Sequence, residues 1–78
     1  MSNLILYVSE YCWFCKKVEA FMQENKISIE KRDTMQNPSF RQELLEVGGK
    51  TQVPCLFIDG KPLYESDDII DYMKDNLL

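Results

Sequence analysis

A chain of 78 residues has room for one domain, and folding buries only about 60% of the unfolded surface at this size, so every element must contribute to the core. Hydrophobic residues make up 45% and charged residues 28%, which is ordinary for a soluble globular protein. The formal net charge of −4 argues against a general affinity for nucleic acid or anionic membrane, because both need a basic surface.

The N-terminus and the cysteine count predict a cytosolic protein. An apolar run of only five residues, Leu4–Val8, follows Met1 to Asn3, with no basic region and no cleavage site before or after it. Three cysteines are an odd number, which fits poorly with a secreted disulfide framework. We therefore expect a single cytosolic domain over residues 1–78, with reduced thiols.

The first half of the chain predicts a parallel β-α-β unit. The continuous apolar run Leu4–Val8 is typical of a central strand that is covered on both faces. From Phe14 to about Asn25 the apolar residues recur at helical spacing, and residues 27–31 then alternate like a half-exposed strand. The predicted buried face of this first helix consists of Phe14, Val18, Phe21 and Met22.

The second half predicts a helix, a hairpin and a last helix. Asn37 before Pro38 is a helix start, and Gly48-Gly49 ends that helix. Asp59-Gly60 supplies a hairpin turn, and Pro62 predicts that the strand after it is an edge strand. Ser66 is the expected cap of the last helix. The predicted buried faces are Phe40, Leu44 and Val47 for the second helix, and Ile69, Ile70, Met73 and Leu77 for the third.

These elements give the order β-α-β-α-β-β-α. The predicted fold is therefore α/β, with a four-stranded mixed sheet that has helices on both faces.

Two cysteines, Cys12 and Cys15, stand where the first strand gives way to the first helix. A helix N-terminus presents unpaired N–H groups and a partial positive charge, which stabilise a thiolate, and Lys16 and Lys17 add positive potential. Three cysteines without any histidine make a closed zinc site improbable, and covalent haem would need a histidine after the second cysteine. The position favours a redox pair over two core cysteines. Cys55, at the start of a strand, is interpreted as a small buried hydrophobe.

Three separated motifs resemble the glutaredoxins, and the similarity extends over essentially all of the chain. They are Cys12-Trp13-Phe14-Cys15, then Thr51-x-Val53-Pro54, then Ser66-Asp67-Asp68. The last third is also similar to the end of the N-terminal domain of glutathione S-transferases, which has a Glu-Ser pair where this chain has Glu65-Ser66. The resemblance implies the thioredoxin fold.

The resemblance also implies a glutathione-dependent thiol–disulfide oxidoreductase that acts on disulfide-containing and glutathionylated proteins. Cys12 and Cys15 would be catalytic, and glutathione would be the co-substrate. Pro54 would be cis, so that the Val53 backbone pairs with the cysteinyl part of glutathione. The Ser66 N–H would bind the γ-glutamyl carboxylate, and Asp67 the amino group. The implied glutathione-binding residues are Tyr11, Phe14, Thr51, Val53, Pro54, Ser66 and Asp67.

The chain departs from the common glutaredoxin pattern at four places. Ser9 stands where many members have a lysine, Trp13 replaces a proline, Tyr64-Glu65 replaces a Gly-Gly pair, and Cys55 stands where a polar residue is usual. Two further functions therefore stay open beside the reductase, which we expect to be a monomer without an obligatory metal. One is a dimer in which Cys12 and glutathione bridge a [2Fe–2S] cluster. The other is an electron donor reduced by thioredoxin reductase. A truncated transferase is a weaker alternative.

Overall fold

A computed structural model describes residues 3–78 of the chain. Within these residues the elements follow the predicted order β-α-β-α-β-β-α. None of the helices in this part of the chain has the length and apolar character needed to cross a membrane. The elements are β1 (Leu4–Val8), α1 (Trp13–Glu24), β2 (Glu30–Asp33), α2 (Pro38–Gly48), β3 (Cys55–Ile58), β4 (Lys61–Tyr64) and α3 (Ser66–Leu77).

The four strands of residues 3–78 form one mixed sheet in the order β2-β1-β3-β4. β1 runs parallel to β2 and antiparallel to β3, and β4 pairs antiparallel with β3. The predicted mixed sheet is confirmed, and so is the edge position of Pro62, because β4 has no neighbour on its outer side. Asp59 and Gly60 form the hairpin turn at φ values of 52° and 84°, which a two-residue hairpin of this kind requires.

Alternate residues of β1 face two separate apolar clusters, as expected for a strand covered on both sides. Leu6 and Val8 pack with Leu56 against residues of α1 and α3, whereas Tyr7 packs with residues of β3 and Leu44 of α2. Helices thus cover both faces of the sheet, with α1 and α3 on one side and α2 on the other. This arrangement places the β1–α1 loop, with Cys12, at one end of the sheet.

The second strand begins later than its alternation suggests, so the prediction of a strand over residues 27–31 was wrong in position. β2 covers Glu30–Asp33. The Ile27 N–H donates to the Met22 carbonyl at 2.8 Å, and Lys26 has a φ of 55°. Ile27, which opens the alternating pattern, therefore belongs to the hydrogen-bonded turn that follows α1.

Three residues predicted to lie on buried helix faces are exposed, namely Phe14 (58%), Val47 (52%) and Leu77 (36%). In α1 the inward position is taken by Cys15, one residue after Phe14. In α2 the face that points to the sheet continues from Leu44 to Gly48. Gly48 lies so close to Tyr64 that an added Cβ would overlap the Tyr64 hydroxyl. Val47, one position earlier, therefore faces outward. Leu77 is the last residue of α3 and lines a surface depression.

Candidate active site

Cys12 is the N-cap of α1, as its position in the sequence predicts. Its backbone is extended (φ −95°, ψ 114°), and its N–H donates to the Ser9 carbonyl at 3.2 Å. The Cys12 Sγ accepts a hydrogen bond from the Cys15 N–H at 3.1 Å. A sulfur atom in this position accepts a hydrogen bond from a first-turn N–H group and lies at the positive end of the helix dipole. Both interactions favour a thiolate.

The loop before β3 lies against this sulfur atom. The Cys12 thiol donates to the Val53 carbonyl, with 3.6 Å between Sγ and oxygen. The Val53–Pro54 peptide bond is cis, as the resemblance implies, and Pro54 is buried at the start of β3. Cys12, the candidate nucleophile, therefore lies next to the Val53 backbone. This backbone belongs to no strand and can pair with a bound peptide.

Cys15 is a different kind of thiol. Its side chain is fully buried in the cluster shared by α1, α3 and the sheet. Burial, and after it the hydrogen bond with Cys12, raise the pKa of the Cys15 thiol to about 12. Cys15 is consequently a protonated thiol at neutral pH as long as Cys12 is not bound in a disulfide.

Cys55 lies on the opposite side of the sheet from Cys15. It is paired with Tyr7 across β1 and β3 and belongs to the cluster covered by α2. Its exposed fraction is zero, and burial raises the pKa of the Cys55 thiol to about 11. The interpretation of Cys55 as a small buried hydrophobe is confirmed.

These differences predict selective alkylation. At pH 8 the Cys15 thiol stays protonated, because burial raises its pKa far above this pH. Iodoacetamide should therefore modify Cys12 in the folded, reduced protein and leave Cys15 and Cys55 unmodified at this pH. Peptide mapping by mass spectrometry measures this, with urea-unfolded protein as the control in which all three react. Equal labelling of Cys12 and Cys15 in the folded protein would contradict the assignment.

A cavity of about 330 Å³ begins at Val53 and ends at the start of α3. Five of the seven residues implied by the resemblance line it, while Tyr11 and Thr51 do not. The Tyr11 side chain is 81% exposed, and Thr51 lines a separate depression beside α2. The five lining residues are Phe14, Val53, Pro54, Ser66 and Asp67.

Two further residues, Gln52 and Glu65, line the same cavity and were not predicted as site residues. The Gln52 Nε2 donates to the Glu65 Oε1 at 3.2 Å, which connects the loop before Pro54 to the start of α3. Glu65, at φ 73°, is the N-cap, so the prediction of Ser66 as the cap was wrong. The chain turns into the helix at Glu65, which has the positive φ, so Ser66 is already the first helical residue. The sequence signals for these two residues were their positions: Gln52 lies inside the Thr51-x-Val53-Pro54 motif, and Glu65 forms the Glu-Ser pair with Ser66.

Asp67 is held by an ion pair with Lys17, whose Nζ lies 2.5 Å from the carboxylate. The pair connects α3 to α1 beside the cavity, and both side chains are well exposed, Asp67 at 78% and Lys17 at 50%. Any ammonium group that binds Asp67 must therefore share this carboxylate with Lys17 or displace it. Within residues 3–78 no three cysteine, aspartate or glutamate side chains are grouped as metal ligands would be.

Comparisons with known proteins agree with this geometry. The glutaredoxin family model matches residues 4–63. Glutaredoxin 3 of Escherichia coli K12 is 29% identical over 69 residues, which are 88% of this chain and 83% of that protein. A buckwheat glutaredoxin–glutathione complex superimposes with a TM-score of 0.73 at 22% identity, over 95% of this chain and 70% of that one. Glutathione transferase Omega 3C of Trametes versicolor has a TM-score of 0.81 at 25% identity, over 96% of this chain and 34% of that one.

The family match extends from Leu4 in β1 to Leu63 in β4, so it includes both motif cysteines and the cis Pro54. The structural likeness adds the thioredoxin-like arrangement of sheet and helices. The chain therefore belongs to the glutaredoxin family, whose members are glutathione-dependent thiol–disulfide oxidoreductases.

Proposed function

We propose that the protein is a dithiol glutaredoxin that reduces protein disulfides and glutathione mixed disulfides through Cys12 and Cys15. The observation that carries this proposal is the Cys12 sulfur atom at the start of α1. It accepts the Cys15 N–H and lies against Val53, at one end of a cavity that leads to Ser66 and Asp67. A thiolate, a backbone pairing site and a helix N-terminus are thus arranged along one cleft.

In the first step the Cys12 thiolate attacks one sulfur of a disulfide. A new S–S bond joins Cys12 to that sulfur, and the other sulfur leaves as a thiolate that takes a proton from solvent. The chain contains no histidine to act as a base. The Cys12 thiolate is therefore stabilised by the helix dipole and by the hydrogen bond from the Cys15 N–H.

In the second step either a glutathione thiolate or Cys15 attacks the Cys12 sulfur and releases the bound thiol. Burial is the main reason that the Cys15 pKa is raised, but its hydrogen bond with Cys12 and the Cys12 charge raise it too. Both of these contributions disappear once Cys12 is held in a mixed disulfide. Formation of the intermediate therefore makes Cys15 a better nucleophile at the moment when it is needed.

Glutathione in this proposal extends along the cavity from Cys12. Its cysteinyl part pairs with the Val53 backbone, its γ-glutamyl carboxylate meets the N–H groups at Ser66, and its ammonium meets Asp67. Phe14 supplies an apolar wall. Tyr11 and Thr51 stay predictions from the resemblance, since neither lines this cavity.

We also propose that a single copy of the chain carries out this reaction in a reducing compartment such as the cytosol. The three groups that the mechanism uses, namely Cys12, Val53 and the start of α3, come from one chain. A dithiol reductase must be returned to its thiol form after each cycle, which the glutathione pool of a reducing compartment supports.

Replacing Asp67 by alanine tests the glutathione site. We expect Asp67→Ala to raise the KM for glutathione by about two- to tenfold with little change in kcat, because it removes an exposed charge-assisted hydrogen bond to the γ-glutamyl ammonium. The measurement is the reduction of a small glutathionylated disulfide with glutathione, glutathione reductase and NADPH. Asp68→Ala is the matched control, because Asp68 is in the same helical turn but does not line the cavity. An unchanged KM in folded Asp67→Ala would contradict the proposed pose.

Two measurements distinguish the alternative functions, the first of which is the same assay with a different source of electrons. Turnover that requires thioredoxin reductase instead of glutathione and its reductase would favour the electron-donor alternative. Visible absorption after anaerobic reconstitution with iron and sulfide, lost in Cys12→Ser, would favour the cluster-bridging dimer.

A further inference from the structure

The cavity beside Cys12 has more negative than positive charge. Glu65 and Asp67 both line it, and no lysine or arginine does in the described part of the chain. The two carboxylates differ in their partners. Asp67 is paired with Lys17, whereas the Glu65 carboxylate accepts a hydrogen bond from the uncharged Gln52 and forms no ion pair within residues 3–78. Glu65 thus contributes a full negative charge at the rim of the cleft.

Two observations at the start of α3 indicate that this end of the cavity is built to hold a ligand. Glu65 has φ 73° and ψ 122°, a conformation that glycine adopts readily and that strains other residues. Ser66 is only 8% exposed and lines the cavity, and none of the side-chain hydrogen bonds within residues 3–78 involves its hydroxyl. A carboxylate at a strained position therefore lies next to a largely buried serine whose hydroxyl group keeps access to the cavity.

The approach to Cys12 is aromatic. Trp13 is 80% exposed and Tyr11 81% exposed, on either side of Cys12 in the chain, and Phe14 is 58% exposed at the wall of the cavity. Flat aromatic faces attract a guanidinium or ammonium group, and arginine stacks on them particularly well. An apolar wall with a carboxylate at its rim suits a long cationic side chain, because its stem packs on the wall and its head reaches the charge.

We infer that Glu65 makes the protein select disulfides in which the reacting cysteine is preceded by a basic residue, the place that the γ-glutamyl residue has in glutathione, an inference that rests on the proposed function of Cys12 and Cys15. The basic side chain enters the cavity in the absence of glutathione, with its stem on Phe14 and its charge at Glu65. A substrate with an acidic residue at that place is repelled by the same carboxylate.

The reaction itself is the reduction of a peptide disulfide. The Cys12 thiolate attacks one sulfur, a Cys12–peptide disulfide forms, and the first peptide leaves as a thiolate that is protonated by solvent. Cys15 then loses its proton and attacks the Cys12 sulfur, which releases the second peptide as a thiolate that is also protonated. Two electrons pass from the cysteine pair to the peptide disulfide, and the pair becomes a disulfide.

The test uses symmetric disulfides of three N-acetyl dipeptide amides, in which arginine, glutamine or glutamate precedes the cysteine. Pre-reduced protein is mixed with each disulfide in a single turnover, without glutathione, and the released peptide thiol is quantified. Each rate is divided by the rate of the same disulfide with dithiothreitol, which removes the effect of the neighbouring charge on the reactivity of the disulfide. We expect the arginine peptide to exceed the glutamate peptide by about two- to fivefold at low salt, the range of exposed ion pairs.

The preference should depend on salt and on Glu65. It should disappear in about 1 M salt, where the Debye length falls to about 3 Å. Glu65→Gln should abolish it while keeping a hydrogen-bond acceptor for Gln52, and Glu65→Gly should abolish it with a backbone that suits the positive φ. Asp75→Asn, which removes one exposed charge from the far end of the same helix, should leave it unchanged.

Equal normalised rates for the arginine and glutamate peptides would overturn the inference. So would a preference that persists in a folded Glu65 variant, or one that falls equally in Asp75→Asn, since net charge would then explain it. A failure to reduce even the glutamine peptide would contradict the proposed function, and the inference with it.

Discussion

Cys12→Ser should reduce every disulfide-exchange activity of the protein to the rate of the uncatalysed reaction. The thiolate is the nucleophile in such exchange, and a serine hydroxyl at the start of α1 has no accessible anion at neutral pH. The other two thiols cannot replace it, because Cys15 and Cys55 are fully buried and their pKa values are raised by burial to about 12 and about 11. The measurement is turnover with a glutathionylated peptide and with a protein disulfide.

The matched control for this loss is Cys55→Ala. It also removes a thiol, but from the side of the sheet covered by α2, away from the cavity beside Cys12. Activity should therefore be retained in Cys55→Ala and lost in Cys12→Ser. Glutathione disulfide gives a second readout, since the adduct should map to Cys12 by mass spectrometry. An adduct on Cys15 in Cys12→Ser, with activity retained, would overturn the assignment of the nucleophile.

Local signals in the sequence were sufficient for the order of the elements and for the position of the thiols. The Asn37-Pro38 start of α2, the Asp59-Gly60 turn and the strand of Leu4–Val8 are each determined by residues that are neighbours in the chain. The placement of Cys12 as an N-cap follows from the change between strand and helix periodicity. These features do not depend on contacts between distant residues.

Features that depend on distant contacts were missed. The Tyr7 hydroxyl donates to Glu43, and Arg32 donates to the same carboxylate, so one polar network joins β1, β2 and α2. No spacing in the sequence indicates that these three residues meet. The exposure of Val47 is a similar case, because it results from the close approach of Tyr64 to Gly48.

The candidate site shows the same division. The cysteine pair and the start of α3 could each be recognised from a short motif. The structure places the start of α3 in the same cavity as Val53, whose carbonyl contacts Cys12. The Lys17–Asp67 ion pair joins residues 50 positions apart, and the Gln52–Glu65 hydrogen bond joins residues 13 apart. Both contacts form only once α1, α3 and the loop before β3 are packed together. The sequence therefore predicts the cysteine pair and the start of α3, whereas the tertiary packing determines which charged side chains lie beside them.

Cys15→Ser should separate the two activities that the proposed mechanism combines. It removes the thiol that releases a bound protein from Cys12, so reduction of protein disulfides should fall by more than about tenfold, equal to about 1.4 kcal/mol of activation free energy. Removal of glutathione from proteins should persist, because a second glutathione can attack the Cys12–glutathione disulfide from solvent. Cys12 is partly exposed, which permits this attack.

Cys55 should not restore the lost activity in this variant, because it belongs to the apolar cluster on the α2 side, whereas Cys12 packs against the cluster on the opposite side. The double variant Cys15→Ser with Cys55→Ala should therefore behave like Cys15→Ser alone in both assays. The trapped Cys12–protein disulfide should accumulate equally in the two variants, which non-reducing electrophoresis and mass spectrometry measure. A further fall in protein disulfide reduction on loss of Cys55 would show that this thiol reaches Cys12, and full activity of Cys15→Ser on protein disulfides would mean that Cys15 does not resolve the intermediate.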